Sequence, residues 1–389
     1  MKKLSFLFIF TSIFTFAQSN TEVFLFDLSK SGKLSNQRNI SKNPGYDSQP
    51  SFYAKDKLLF TATRNGQTDI VLYDISTNKK IDFLSNTPKG GEYSPQRIPK
   101  SKNVSAVRLD NDGLQRFYSY DYTTKESKEV IPELKVAYPM WYNKNTVVSS
   151  VIVGNDLDLI ISDIKSGENY TVQKKAGRSF HHIPNSKLIS YISKANRQWE
   201  IRSLNVKTKK TQKIVNTSGD YEDICWLPDG TLLQAKGDKI LKFNPKTDTD
   251  WSLFHSFKNS SIHKISRIRV SKDGTKIAIV AQEDPVFFVE QQLKAYNNRD
   301  IEAFVKAFAE DVKVYNFPNT LNYEGRENMR KGYADFFART KDLHCKIVKR
   351  IVKGNIVIDE ELVTANGRTF DAVAIYEIEN GTITKVTFL

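Results

Sequence analysis

His344, Asp359, Glu360, Glu361 and Asp371 supply one imidazole and four carboxylates within a short stretch of strand-like sequence. An imidazole and a pair of carboxylates can do acid–base work when burial brings them together and shifts their pKa values. Strand alternation puts Asp359 and Glu361 on one face with Val357 and Val363, and Glu360 on the other with Ile358 and Leu362. Lys346, Lys349 and Arg350 on a neighbouring strand offer a plainer alternative, a solvated sheet face of paired charges. The aromatics Tyr315, Phe317, Tyr323, Tyr333, Phe336, Phe337 and Tyr376 would wall an apolar pocket, or fill a core.

Other chemistries have thin support. His181 and His182 follow Arg178, but adjacent strand residues face opposite sides, which is weak grounds for a metal site. Cys225 and Cys345 read as two buried structural thiols, since no CxxC or Cys/His cluster accompanies them. No G-x-S-x-G elbow, H-E-x-x-H pair or glycine-rich phosphate loop occurs, and no metal or cofactor is expected. The formal charge of +14 comes from lysines scattered through turns, which points to a solvated basic surface rather than nucleic-acid binding.

The elements that must position the acidic cluster run from helix to strand. Residues 285–312 have helical periodicity, with Phe288, Leu293, Phe304 and Phe308 on a buried face. Asn298 and Asp300 divide that stretch into two helices, with Asp300 as an N-cap. A third helix is expected at about 326–339. Strands are expected at about 343–352, 355–364, 369–378 and 382–388, with hairpin turns at Lys353-Gly354 and Asn380-Gly381. Helices followed by a meander of strands make an α+β domain, a curved antiparallel sheet over three helices.

The preceding two thirds of the chain repeats a phrase: an apolar strand, then Asp or Asn, then a polar turn. The copies are anchored on Asp27, Asp74, Asp121, Asp163, Asn205 and Asn244, about 39–47 residues apart. A second phrase precedes it, with Pro-x-aromatic clear at Pro50–Phe52 and Pro139–Trp141 and degenerate near His181. Asp-Gly pairs at 229–230 and 273–274 supply the positive φ of tight hairpins. The period suits four-stranded propeller blades. Six are expected, with residues 22–27 completing the blade that begins near 265–282, so that no sheet edge is left open.

These repeats, over residues 20–282, resemble the WD40-like propeller repeats of TolB and the propellers of the dipeptidyl peptidase family. The resemblance implies fold rather than function, and peptidase activity is not expected without a nucleophile elbow. Residues 286–389 resemble the NTF2-like superfamily, and within it SnoaL-like and ketosteroid-isomerase-like domains. The matching residues are N-N-R-D (297–300), A-E-D-V (309–312), E-G-R (324–326) and I-Y-E-I-E-N-G-T-I-T-K-V (375–386). That resemblance implies a cone around a pocket, with Tyr315, Asn316, Phe317, Tyr333, Phe337 and Tyr376 as its expected lining. It also argues against isomerase chemistry. Counting nine residues back from Gly325 puts Asn316 where the family keeps its catalytic Asp, and an amide cannot abstract a proton. The two oxyanion-donor positions fall near Gln292 and Ala374. A SnoaL-like enzyme, an isomerase, cyclase or hydrolase of a hydrophobic substrate, would need His344 or one of Asp359, Glu360 and Asp371 instead.

Residues 1–17 read as a secretory signal: Lys2 and Lys3, a short apolar run, then Ala17 before the cut. The sequence therefore predicts an exported protein, soluble in the periplasm or outside the cell. Its propeller would hold a protein or glycan partner, and its C-terminal domain a small hydrophobic ligand or a second copy of itself. The short junction at Gln282 to Pro285 favours a fixed arrangement of the two.

Overall fold

The computed structural model describes residues 20–389, so the expected signal at 1–17 lies outside the described residues. Residues 22–283 form four-stranded antiparallel units. Four are separate sheets, and two share an eight-stranded sheet joined by a single parallel bridge, Thr68 to Gly91. Among the described residues this makes six units. One of them joins both ends of the region, because Glu22–Leu28 pairs with Lys276–Glu283 from Glu22↔Ala281 to Asp27↔Lys276. The edge that each end would expose is thereby covered. The degenerate stretch at His181 still forms a strand, only two residues long, against Leu188–Ser193.

The recurring Asp or Asn has a local task. Asp74 Oδ1 accepts from the backbone N–H groups of Ser76 and Thr77, Asp121 from Thr123 and Thr124, and Asp163 from Lys165 and Ser166. Asn205 repeats this with Lys207 and Thr208, and Asn244 with Lys246. Each side chain closes the turn between the third and fourth strands of its unit. Asp27 departs from the pattern and takes Lys276 Nζ at 2.6 Å and Asn36 Nδ2 at 2.7 Å instead. The aromatic phrase ties units together. Trp141 Nε1 donates to Ser105 Oγ of the preceding unit at 2.8 Å, and Trp226 Nε1 to Ser190 Oγ at 2.8 Å.

Glu283 is followed at once by Asp284, whose carboxylate accepts from Val286 N–H and caps α1 (Pro285–Asn298). Pro285 suits the first turn, where no N–H is needed. Then come α2 (Ile301–Lys306), capped by Asp300, and α3 (Arg326–Arg339). The helical expectation for 285–312 fails after Lys306. Phe308–Asn316 is a strand, lying parallel to Thr382–Phe388 and antiparallel to Thr320–Glu324. Phe308 is four residues past Phe304, so it fits a helical stripe; sheet pairing with Ile383 decides otherwise. The six-stranded sheet runs Thr320–Glu324, Phe308–Asn316, Thr382–Phe388, Arg368–Glu379, Ile356–Ala365, His344–Lys353, antiparallel except for that one pair. One core, including Val289, Phe304, Phe308, Phe337, Val357 and Ile383, joins the helices to the sheet.

Candidate ligand pocket

The register of the sheet decides which acids face the helices. Val357, Asp359, Glu361 and Val363 are buried, whereas Ile358, Glu360 and Leu362 are half-exposed. Directly opposed residues in an antiparallel pair share a face. Ala374 therefore sits with Asp359, Ala372 with Glu361, and Tyr376 with Val357. From above, α1 contributes Gln292 and Tyr296, one turn apart, and α3 contributes Met329 and Tyr333. Between the layers lies a cavity of about 170 Å³, its wall mostly aromatic and aliphatic.

Two buried acids on one strand meet opposite fates. Asp359 is fully enclosed and held by a two-pronged pair with Arg350, Nε to Oδ1 at 2.6 Å and Nη2 to Oδ2 at 2.7 Å. Arg350 also binds Glu290 of α1. Asp359 is thus a structural counter-ion outside the cavity wall. Glu361 lines the cavity and has no cationic partner among the described residues. Its Oε1 accepts from the Tyr376 hydroxyl at 2.9 Å, and Gln292 Nε2 donates to that hydroxyl at 3.2 Å. Cys345, also in the wall, hydrogen-bonds to the same carboxyl. Burial pushes the Glu361 carboxyl above its ordinary value, outweighing the hydrogen bond from Tyr376. The Cys345 thiol is pushed up to about 12 by burial and by the neighbouring carboxyl. The arrangement can offer or take one proton, or one hydrogen bond, in the wall of a mostly apolar space.

The residues expected at the site divide. Tyr333 and Tyr376 line the cavity. Tyr315 lies outside it under Lys385 Nζ, Phe317 is 64% exposed, and Phe337 is packed into the core against Tyr296 and Phe304. Asn316 is exposed at a strand end, its amide paired with that of Asn322 at 3.0 and 3.2 Å. Val314, not its neighbours, turns inward on that strand. Of the proposed substitute bases, His344 and Asp371 are exposed, paired on the outward register with Thr364 and Leu362. Glu360 is half-exposed beside Lys349 at 3.7 Å. The acidic group that reaches the cavity is Glu361, which shares the parity of Val357 and Val363. Gln292, at one vacant oxyanion-donor position, reaches it too. Cys225 and Cys345 are buried and unpaired. His182 stacks on Tyr142 while His181 faces the ring axis, and no group of His, Cys, Asp or Glu among the described residues is arranged to hold a metal ion.

The comparisons with known proteins divide at the same place. Residues 289–386 match the SnoaL-like domain. An uncharacterised cystatin-fold protein from Novosphingobium aromaticivorans is 28% identical over 27% of this chain and 97% of its own, with a TM-score of 0.26. A candidate TolB from Agrobacterium tumefaciens is 14% identical over 67% of this chain and 98% of its own, with a TM-score of 0.50. An oligogalacturonate lyase in complex with manganese is 12% identical over 65% of this chain and 81% of its own, with a TM-score of 0.45. The search of curated proteins finds no match. Residues 22–283 thus share the propeller fold of the TolB structure, and residues 289–386 match the SnoaL-like domain. No helix among the described residues is long and apolar enough to cross a membrane.

Proposed function

We propose that the protein is an exported binding protein. Its SnoaL-like domain takes up a small hydrophobic ligand with one hydrogen-bonding group, and its propeller holds a protein or glycan partner. The observation that carries this reading is the 170 Å³ cavity, mostly aromatic and aliphatic, with the Glu361–Tyr376–Gln292 chain in its wall. Such a site favours an apolar body and selects it by a few polar contacts. Native mass spectrometry of the mature chain tests it. The wild type is expected to carry a small bound mass, and Ala372→Trp, which fills the cavity, to lose it; a bare wild-type protein would remove the reading. N-terminal sequencing of exported protein checks cleavage near Ala17.

One observation favours a second reading. Glu361 is buried, in no ion pair among the described residues and bonded to a tyrosine, as an acid–base group in an isomerase, cyclase or hydrolase would be. Under this reading Glu361→Gln keeps ligand uptake and abolishes turnover of that ligand. Dimerisation through this domain is supported by Val348, Ile351 and Val352, exposed along the edge strand His344–Lys353. Light scattering of the wild type and an Ile351→Lys variant tests it, with a dimer expected only for the former.

A further inference from the structure

The first strands of all six propeller units, with the residues that lead into them, converge on one narrow cavity of about 60 Å³, the axis of the ring. Its wall holds three guanidinium groups, those of Arg178, Arg267 and Arg269, but a single carboxylate, Asp223. That carboxylate is already committed: Arg178 Nη2 reaches Oδ2 at 2.6 Å and Arg267 Nη1 reaches Oδ1 at 3.1 Å. Glu222 pairs with Arg178 and Lys194.

Arg269 has no such partner. Its one hydrogen bond among the described residues is from Nη1 to His181 Nδ1, at 2.7 Å. The imidazole cannot balance the charge. Burial and the guanidinium itself hold its pKa well below the ordinary histidine value, so it is neutral, with Nε2 at 3.2 Å from Ser179 Oγ. The nearby Cys225 thiol is pushed up to about 12 and is neutral as well. A cation enclosed without a counter-charge is costly, so something is needed to offset it.

The cavity's other side points the same way. Arg269 and His181 also line a wider space of about 610 Å³, walled by Arg97, Lys272, Trp141 and Trp226, with no Asp or Glu in its wall. A planar guanidinium with free N–H groups, at the neck between a narrow polar cavity and a broad basic one, suits two-pronged recognition of an oxyanion.

We propose that the propeller axis is a binding site for an organic oxyanion, whose carboxylate or phosphate group docks on Arg269 while its body occupies the wide mouth beside Trp141 and Trp226. This site is separate from the C-terminal pocket and does not depend on a ligand there. The full mature chain is titrated calorimetrically with citrate and with inorganic phosphate, against chloride at equal ionic strength. The wild type binds one or both oxyanions, and the preferred one identifies the carboxylate or phosphate source. Arg269→Gln and Arg269→Lys weaken binding about tenfold or more, because the second keeps the charge but loses the fork. Lys207→Gln, in an exposed turn, and Ala372→Trp leave it unchanged. No oxyanion-specific response from the wild type, equal affinity in a folded Arg269 variant, or loss on Ala372→Trp overturns the proposal. Should neither Arg269 variant fold, selenate-soaked wild-type crystals decide: an anomalous peak against Arg269 supports the site, and its absence there overturns it.

Discussion

Asp359 and Glu361 are two residues apart on the same buried face, yet substitution should affect them in opposite ways. Asp359→Asn removes the carboxylate that balances Arg350 and leaves a mostly buried guanidinium facing Glu290 alone. Breaking such a pair costs about 3–5 kcal/mol, measurable as a lower denaturant midpoint. Glu361→Gln leaves no orphaned cation. Because burial raises the Glu361 pKa in the folded state, its contribution to stability is fully present below the unfolded value of 4.5 and is lost as pH rises through the raised one. The glutamine variant is therefore expected to match the wild type in acid and to equal or exceed it above neutrality. A thermal-unfolding series in pH checks this. A deficit of the variant that grows as pH rises would show that the carboxylate, not the acid, is the form the fold prefers.

At the level of elements, the repeated side-chain bonds between and within propeller units set graded costs. Ser105 is fully buried, and Ser105→Ala strands the Trp141 indole N–H without an acceptor. A loss of about 1–3 kcal/mol is expected, with Ser190→Ala behaving alike through Trp226. Asp163→Ala opens only an exposed turn and should cost about 1 kcal/mol or less. Chemical denaturation of the three variants tests the ranking, and equal losses would mean that the turns, not the inter-unit bonds, dominate. The same elements show what the sequence made legible. The Asp/Asn phrase and its period revealed the propeller because a turn of fixed geometry needs a short acceptor at one position. Parity along Ile356–Ala365 put both acids on one face, and burial in the folded sheet decides that this face turns inward. Which of them met an arginine was hidden, because it depends on the register Arg350↔Asp359 across a hairpin with an irregularity at 347–349. Asn316 misled as a pocket marker because counting along a motif does not show where the cavity ends: it keeps the parity of Val314 but lies at the exposed end of its strand, where its amide pairs with that of Asn322.

Across the whole molecule, an acidic seam accompanies the point where the ring closes and the C-terminal domain begins. Glu22 and Glu283 belong to the paired first and last strands of the ring, and Asp47 enters the next unit. Burial, and in Asp47 and Glu283 the neighbouring Glu22, raises all three carboxyls, Asp47 and Glu283 to about 7. Asp47 is fully enclosed; Oδ1 accepts from Thr63 N–H and Asn43 Nδ2, while Oδ2 has no partner. Glu283 Oε1 accepts from Asn39 at 3.4 Å, and the Gly381 backbone N–H of the SnoaL-like domain hydrogen-bonds to the same carboxyl. Lys42 is the cation that lowers the Glu283 value, and Lys80 does so for Asp47. With folded values above the unfolded ones, these groups stabilise the fold fully below about pH 4 and cease to do so as pH passes through about 7. Wild-type melting temperature should therefore fall between pH 5 and pH 8 more steeply than in Asp47→Asn or Glu283→Gln. The asparagine variant should gain stability at pH 8 and little at pH 4. If the seam couples the two domains, Glu283→Gln will also slow proteolysis near Gln282–Pro285 at pH 8 but not at pH 5. Parallel pH profiles for all three proteins would show that the carboxyls ionise without cost, and that neither ring closure nor the junction depends on their protons.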